Sequence, residues 1–105
     1  MATVIVDAEN VRRSLWPNLS RDELVARARA WAAREGHELR IVFDGAAQEE
    51  APDLVGRGYA DDEIVRLAEA LDGEVWVVTS DRELRERLGE STTRIVGGGS
   101  FVRTI

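Results

Sequence analysis

The chain has 105 residues, 44% apolar and 32% charged, with a formal net charge of −6 and no cysteine. That length suffices for one domain with a single core, and the lack of cysteine excludes disulfides and thiolate metal sites. No apolar run approaches the roughly 18 residues of a membrane span, and the opening Met1-Ala2-Thr3-Val4 enters a strand pattern without the basic segment of a signal peptide, so a cytoplasmic protein is expected.

Strands and helices alternate almost throughout. The first strand covers residues 2–7 and ends on Asp7. The next helix opens at Ser20, where Ser20-Arg21-Asp22-Glu23 has the form of a capping box. Leu24, Ala28, Trp31 and Ala32 fall on its inner face, and Gly36 ends it. A second strand over 39–44 runs into Asp44-Gly45, a turn pair. Residues 45–58, which include Pro52, Gly56 and Gly58 and show no period, read as a loop. A helix from Ala60 to Leu71 turns Ile64, Leu67, Ala68 and Leu71 inward, and Asp72-Gly73 closes it. Glu74 to Thr79 is a nearly continuous apolar run, as in a strand covered on both faces. A helix over 81–88 carries Leu84 and Leu88, and Thr92 to Val96 makes a fourth strand. The Gly97-Gly98-Gly99 run reverses the chain before a short element from Ser100 to Ile105; it lacks the lysine and spacing of a phosphate loop. This order predicts a single α/β domain over residues 1–105, in three layers around a mainly parallel sheet.

The strands share one feature: each of the first three ends on or beside an acid, Asp7, Asp44 and Asp81, and Asp61-Asp62 open the helix before the third. In an open parallel sheet, ligands bind in the crevice beyond the carboxyl ends of the strands. Carboxylates meeting there repel one another unless a cation lies between them, so the pattern points to a divalent-metal site. With His37 the only imidazole, the ligands available are oxygens, which favours Mg²⁺ or Mn²⁺ over Zn²⁺.

Each residue also has a plain structural explanation. Asp7 can close its strand as an Asx-turn, Asn10 can cap the next segment, and Asp44-Gly45 is ordinary turn chemistry. Asp61 and Asp62 suit a helix N-terminus, although two are more than a cap needs, and Asp61 is the preferred ligand of the pair. Ser80 and Glu83 complete a capping box that leaves Asp81 unexplained. Thr79 and Ser80 offer hydroxyls for a phosphate oxygen. His37 reads as a solvated turn residue, and Trp31 and Trp76 as core. All fourteen basic residues are arginine, the better side chain for bidentate phosphate contacts, but a GC-rich genome explains the same bias more simply.

Four blocks together resemble a known family: Val4-Ile5-Val6-Asp7-Ala8-Glu9-Asn10-Val11 with Leu15-Trp16-Pro17-Asn18, then Ile41-Val42-Phe43-Asp44-Gly45, then Tyr59-Ala60-Asp61-Asp62-Glu63-Ile64, then Val77-Val78-Thr79-Ser80-Asp81-Arg82-Glu83-Leu84. Their order and spacing, and the closing Gly97-Gly98-Gly99-Ser100-Phe101, resemble NYN domains of the YacP-like group, a branch of the PIN-like nucleases, over essentially the whole chain. The resemblance implies a Rossmann-like PIN sheet and metal-dependent cleavage of RNA. It places Asp7, Asp61 and Asp81 in the acidic metal site, Asp62 and Asn10 in close support, and Asp44 as an outer ligand. Two departures stand out. The chain is short for the family and lacks a full C-terminal helix, which would leave an apolar face for a partner or a second copy. The long basic surface of many nucleases is also missing.

The expected chemistry is phosphodiester hydrolysis by water activated on one or two Mg²⁺ or Mn²⁺ ions. Asn10, Thr79 and Ser80 would position the phosphate, and Arg12, Arg13, Arg57 and Arg82 would grip the RNA backbone. Trp16 or Tyr59 would stack a base, although burial is the commoner fate of such a tryptophan. The RNA is expected to arrive free or presented by the ribosome or another protein, and a homodimer is one way to cover the apolar face. The alternative is a regulatory module with this fold that binds RNA or protein and cleaves weakly. Phosphoryl transfer through a phosphoaspartate is disfavoured, since receiver domains and aspartate phosphatases pair that residue with a lysine and this chain has none.

Overall fold

The computed structural model describes residues 1–105. Five strands, β1 (Thr3–Asp7), β2 (Glu38–Phe43), β3 (Leu54–Gly56), β4 (Val75–Val78) and β5 (Arg94–Val96), form one sheet in the order β3-β2-β1-β4-β5. Every neighbouring pair is parallel. Helices α1 (Ala8–Arg12), α2 (Arg21–Glu35), α3 (Ala60–Ala70), α4 (Arg82–Leu88) and α5 (Gly98–Thr104) cover it, and a 3₁₀ turn, Gly89–Ser91, links α4 to β5.

The strand pleat sorts the core into two layers. Val4 and Val6 of β1, with Leu39, Ile41 and Phe43 of β2, face α1, α2 and α5, whose Val11, Leu24, Ala28, Trp31 and Phe101 complete that side. Ile5, Val42, Val75 and Val77 face the other way, onto Ala60, Ile64 and Ala68 of α3 and Leu84 and Leu88 of α4. This is the expected three-layer arrangement, with a sheet that is wholly parallel. No helix is long and apolar enough to cross a membrane.

The signals at α2 act as the sequence suggests. Ser20 accepts the amide of Glu23 at 3.1 Å, and Gly36 takes the left-handed conformation (φ 72°) that ends the helix at low steric cost.

Other expectations are corrected. Residues 45–58 contain β3, which adds an edge strand beside β2. Asp7 closes no Asx-turn: its side chain accepts no cap hydrogen bond, and the chain passes directly into the short helix α1. The last element is a helix that begins at Gly98 with Gly97 as its cap residue, so the glycine run starts a helix instead of only reversing the chain. Ser80 does not cap α4: Asp81 does, accepting Leu84 N at 3.2 Å. His37 is half-buried, not solvated. Its Nδ1 accepts the Ala2 amide at 3.0 Å, and its ring lies 5.4 Å from Trp31 and 4.7 Å from Trp76. Trp31 is core as expected, whereas Trp76 is only partly buried, stacked under Arg94 at 4.7 Å.

Candidate functional site

The chain leaves β1 for one side of the sheet and, after β3, crosses back to place β4 on β1's other edge, so the connections diverge at β1. Such a switch point opens a crevice at the carboxyl ends of the strands. A pocket of about 650 Å³ occupies it, within the usual range for ligand sites, and only 2 of its 13 lining residues are hydrophobic. Asp7, Asp44, Asp61 and Asp81 all line it. Four acids from well-separated stretches of sequence thus meet in one place.

Each carboxylate is oriented by one oxygen. Asp7 Oδ2 accepts the Thr79 hydroxyl at 2.8 Å, and Asp44 Oδ1 accepts the amide of Ala60 at 2.8 Å. Asp61 Oδ2 accepts the Tyr59 hydroxyl at 3.2 Å, and Asp81 Oδ1 holds the amide of Leu84. The second oxygen of each makes no hydrogen bond to the protein. The capping roles are therefore real but differently distributed. Asp44 caps α3 from the end of β2, and neither Asp61 nor Asp62 caps it. Capping and pocket lining coexist because one oxygen serves each.

The electrostatics reflect crowding. Asp7 is 5% exposed, and its pKa is raised to about 6, first by burial and then by Asp61, Asp44 and Asp81, against the lowering effect of the Thr79 hydrogen bond. Asp61 is also raised, chiefly by burial, with Asp81 and Asp44 adding to it. The Tyr59 hydroxyl is raised, mainly by the charge of Asp61.

The oxygen-only donors and their mutual repulsion suit a hard divalent cation. Their spacing is open, however: no three acidic groups stand close enough, with side chains as placed, to hold one ion. Side-chain rotation would be needed to close them around it.

The remaining expected residues divide. Asn10, Arg13 and Ser80 line the pocket. Asn10 Oδ1 accepts the Ser80 amide at 2.9 Å, tying α1 to the end of β4, and Ser80 Oγ accepts the Gly98 amide at 2.8 Å. Thr79 is fully buried, its hydroxyl held between Asp7 and the amide of Asp81. Asp62, Arg12, Arg57 and Arg82 do not line the pocket. Asp62 pairs with Arg87 at 2.9 Å, Arg12 lies 3.2 Å from Glu9, and Arg57 borders a separate hollow formed by the 46–57 segment. Trp16, for which base stacking and burial are the two expectations, is 88% exposed next to the pocket-lining Ser14 and Leu15. Sequence reasoning missed Ser14, Leu15, Gly99 and Arg103 as lining residues; the four-residue step from Gly99 to Arg103 on one helix face was the only available signal.

No protein-family model matches the chain, and no curated protein matches it by sequence. Among solved structures, a mutant of Rae1 (YacP) from Bacillus subtilis is similar with a TM-score of 0.81 at 22% identity, over 97% of this chain and 72% of that one. The chain thus shares its parallel α/β fold with that protein.

Proposed function

We propose that this protein is a metal-dependent endoribonuclease of the NYN type. The observation that carries the reading is the meeting of Asp7, Asp44, Asp61 and Asp81 in one polar pocket, each with one oxygen uncommitted. The resemblance of the four sequence blocks to YacP-like NYN domains supports RNA as substrate. Mg²⁺ or Mn²⁺, held by Asp7, Asp61 and Asp81 with Asp44 as outer ligand, would supply charge neutralisation and Lewis-acid activation of water and phosphate. The chain's own contribution is positioning. Thr79 fixes Asp7 at the pocket floor, α4 fixes Asp81, and the Asn10–Ser80 bond holds the two walls in register.

The test is cleavage of a labelled RNA with Mn²⁺ or with chelator, using wild type, Asp7→Asn and Asp81→Asn, beside calorimetric titration of Mn²⁺. Metal-dependent cleavage lost in both variants is expected. Undiminished cleavage in the variants would sink the reading.

The open spacing of the acids favours a second reading, a module that binds RNA or protein and cleaves weakly. Under it, Asp7→Asn and Asp81→Asn keep full binding, and millimolar metal gives no calorimetric signal.

A further inference from the structure

The pocket has a cationic wall as well as an acidic floor. Asp44 and Asp61 reach it from the α3 side of the sheet and Asp7 and Asp81 from its edge, whereas Arg13 and Arg103 reach it from α1 and α5, which pack on the opposite face. Glu9 also lines this wall, but its carboxylate is already surrounded: Arg21 at 2.8 Å, Arg12 at 3.2 Å and Arg13 at 3.5 Å. Arg13 is the loosest of these partners, with 63% of its side chain exposed.

Arg103 is more telling. It is exposed, it lines a pocket that holds five carboxylates, and it makes a salt bridge to none of them. A Cβ at Gly99 would lie 3.8 Å from Arg103 Nη1, so the guanidinium folds back over the first turn of α5. In a chain of net charge −6, unneutralised positive charge beside the acidic floor suits an anion that arrives with the substrate.

Building on the nuclease reading, we propose that Arg13 and Arg103 grip the phosphodiester adjacent to the one presented to the aspartates. The pocket then selects a strand with consecutive phosphates over an isolated phosphodiester. Arg103 enters as a binding residue, and Arg13 is retained ahead of Arg12, Arg57 and Arg82.

The experiment compares wild type, Arg13→Gln/Arg103→Gln and the control Arg34→Gln, an exposed α2 arginine outside the pocket. A fluorescein-labelled single-stranded RNA is titrated by anisotropy in chelator across a salt series. Turnover of that RNA and of bis(4-nitrophenyl) phosphate is followed separately with Mn²⁺. The double variant should bind RNA about tenfold more weakly, with a salt slope shallower by about 1.4 for two lost contacts on a single strand. Its preference for RNA over the small diester should fall by a similar factor. Retained affinity and slope, an equal loss in Arg34→Gln, or an undiminished preference would each overturn the grip, as would a wild type that binds no RNA. Should losing the Glu9 contact loosen α1, Arg103→Gln alone, which breaks no ion pair, should show about half the slope change. A wild type that binds with this pattern but turns over neither diester would defeat the nuclease reading and leave the grip standing.

Discussion

Burial and three neighbouring carboxylates keep Asp7 protonated to higher pH when folded than when unfolded, which ties stability to pH. With its folded pKa at about 6 against 3.8, the native state binds the extra proton between roughly pH 4 and 6. The stabilisation is complete below that window and lost as pH rises through it, a change of about 3 kcal/mol. Asp61, also raised, acts in the same sense, whereas Asp53, lowered by its Arg29 hydrogen bonds, acts oppositely at lower pH. The difference between wild type and Asp7→Asn isolates the first effect. In metal-free buffer, Asp7→Asn should melt higher than wild type at pH 7, with the gap closing towards pH 4. A constant gap would show that Asp7 does not titrate as argued. Thr79→Val makes the complementary case. It removes the hydrogen bond that lowers the Asp7 pKa and leaves the Asp81 amide without its acceptor. Carboxyl-carbon NMR should find Asp7 titrating above its wild-type value, and denaturation should show a loss of about 1–3 kcal/mol.

At the scale of elements, legibility followed length. Helix α2 was clear because fifteen residues give the apolar period room, with Ser20 and Gly36 to mark its ends. Helix α1 has five residues and strand β3 three, too few for any period to emerge. Strand β3 is further disguised by Pro52, Gly56 and Gly58, residues that usually signal loops. Gly56 is there for close approach: a Cβ would fall 2.2 Å from Ala47 N and 2.7 Å from Gly45 O, both backbone atoms that cannot swing aside. Gly56→Ala should therefore push the 45–47 segment off the sheet edge at a cost of about 1–3 kcal/mol, a fall of roughly 5–15 °C in Tm for a chain of this length. An unchanged melt would mean the loop yields freely. The site divided by the same physics. Strand ends converge whatever the details of packing, so Asp7, Asp44 and Asp81 could be placed together from sequence. Neighbouring helix residues point about 100° apart, so the preference for Asp61 over Asp62 needed the fold to give it a geometric ground: Asp61 turns into the pocket and Asp62 to Arg87. Arg103 depends on how α5 packs on α1, which the four-residue step from Gly99 does not by itself reveal.

Over the whole molecule, the acids are gathered as much as they are in excess. The chain carries 20 acidic and 14 basic residues, but the two carboxylates held above their ordinary pKa, Asp7 and Asp61, both sit at the carboxyl edge of the sheet. Elsewhere arginine offsets acid locally: Arg29 donates to Asp53 from Nε and Nη2 at 2.7 and 2.9 Å and reaches Glu49 with Nη1, pinning the 45–58 segment to α2. Net charge therefore misdescribes the protein, which is close to balanced over much of its surface and strained at one edge. Two agents relieve such strain differently. Monovalent salt screens the exposed part of the repulsion, while the buried part is screened much less. A divalent ion that draws the free oxygens of Asp7, Asp61 and Asp81 together acts on the buried part and binds only the folded state, so it stabilises by mass action, about 1.4 kcal/mol at ten times its Kd. Millimolar Mg²⁺ or Mn²⁺ should accordingly raise Tm by several degrees more than NaCl of equal ionic strength. The extra rise should vanish in Asp7→Asn and Asp61→Asn and persist in Asp62→Asn, whose carboxylate faces Arg87 outside the pocket. Equal responses to Mg²⁺ and NaCl, or an extra rise that survives Asp7→Asn, would mean that the pocket's repulsion is relieved without an ion, and that its four aspartates serve the fold as caps and strand ends.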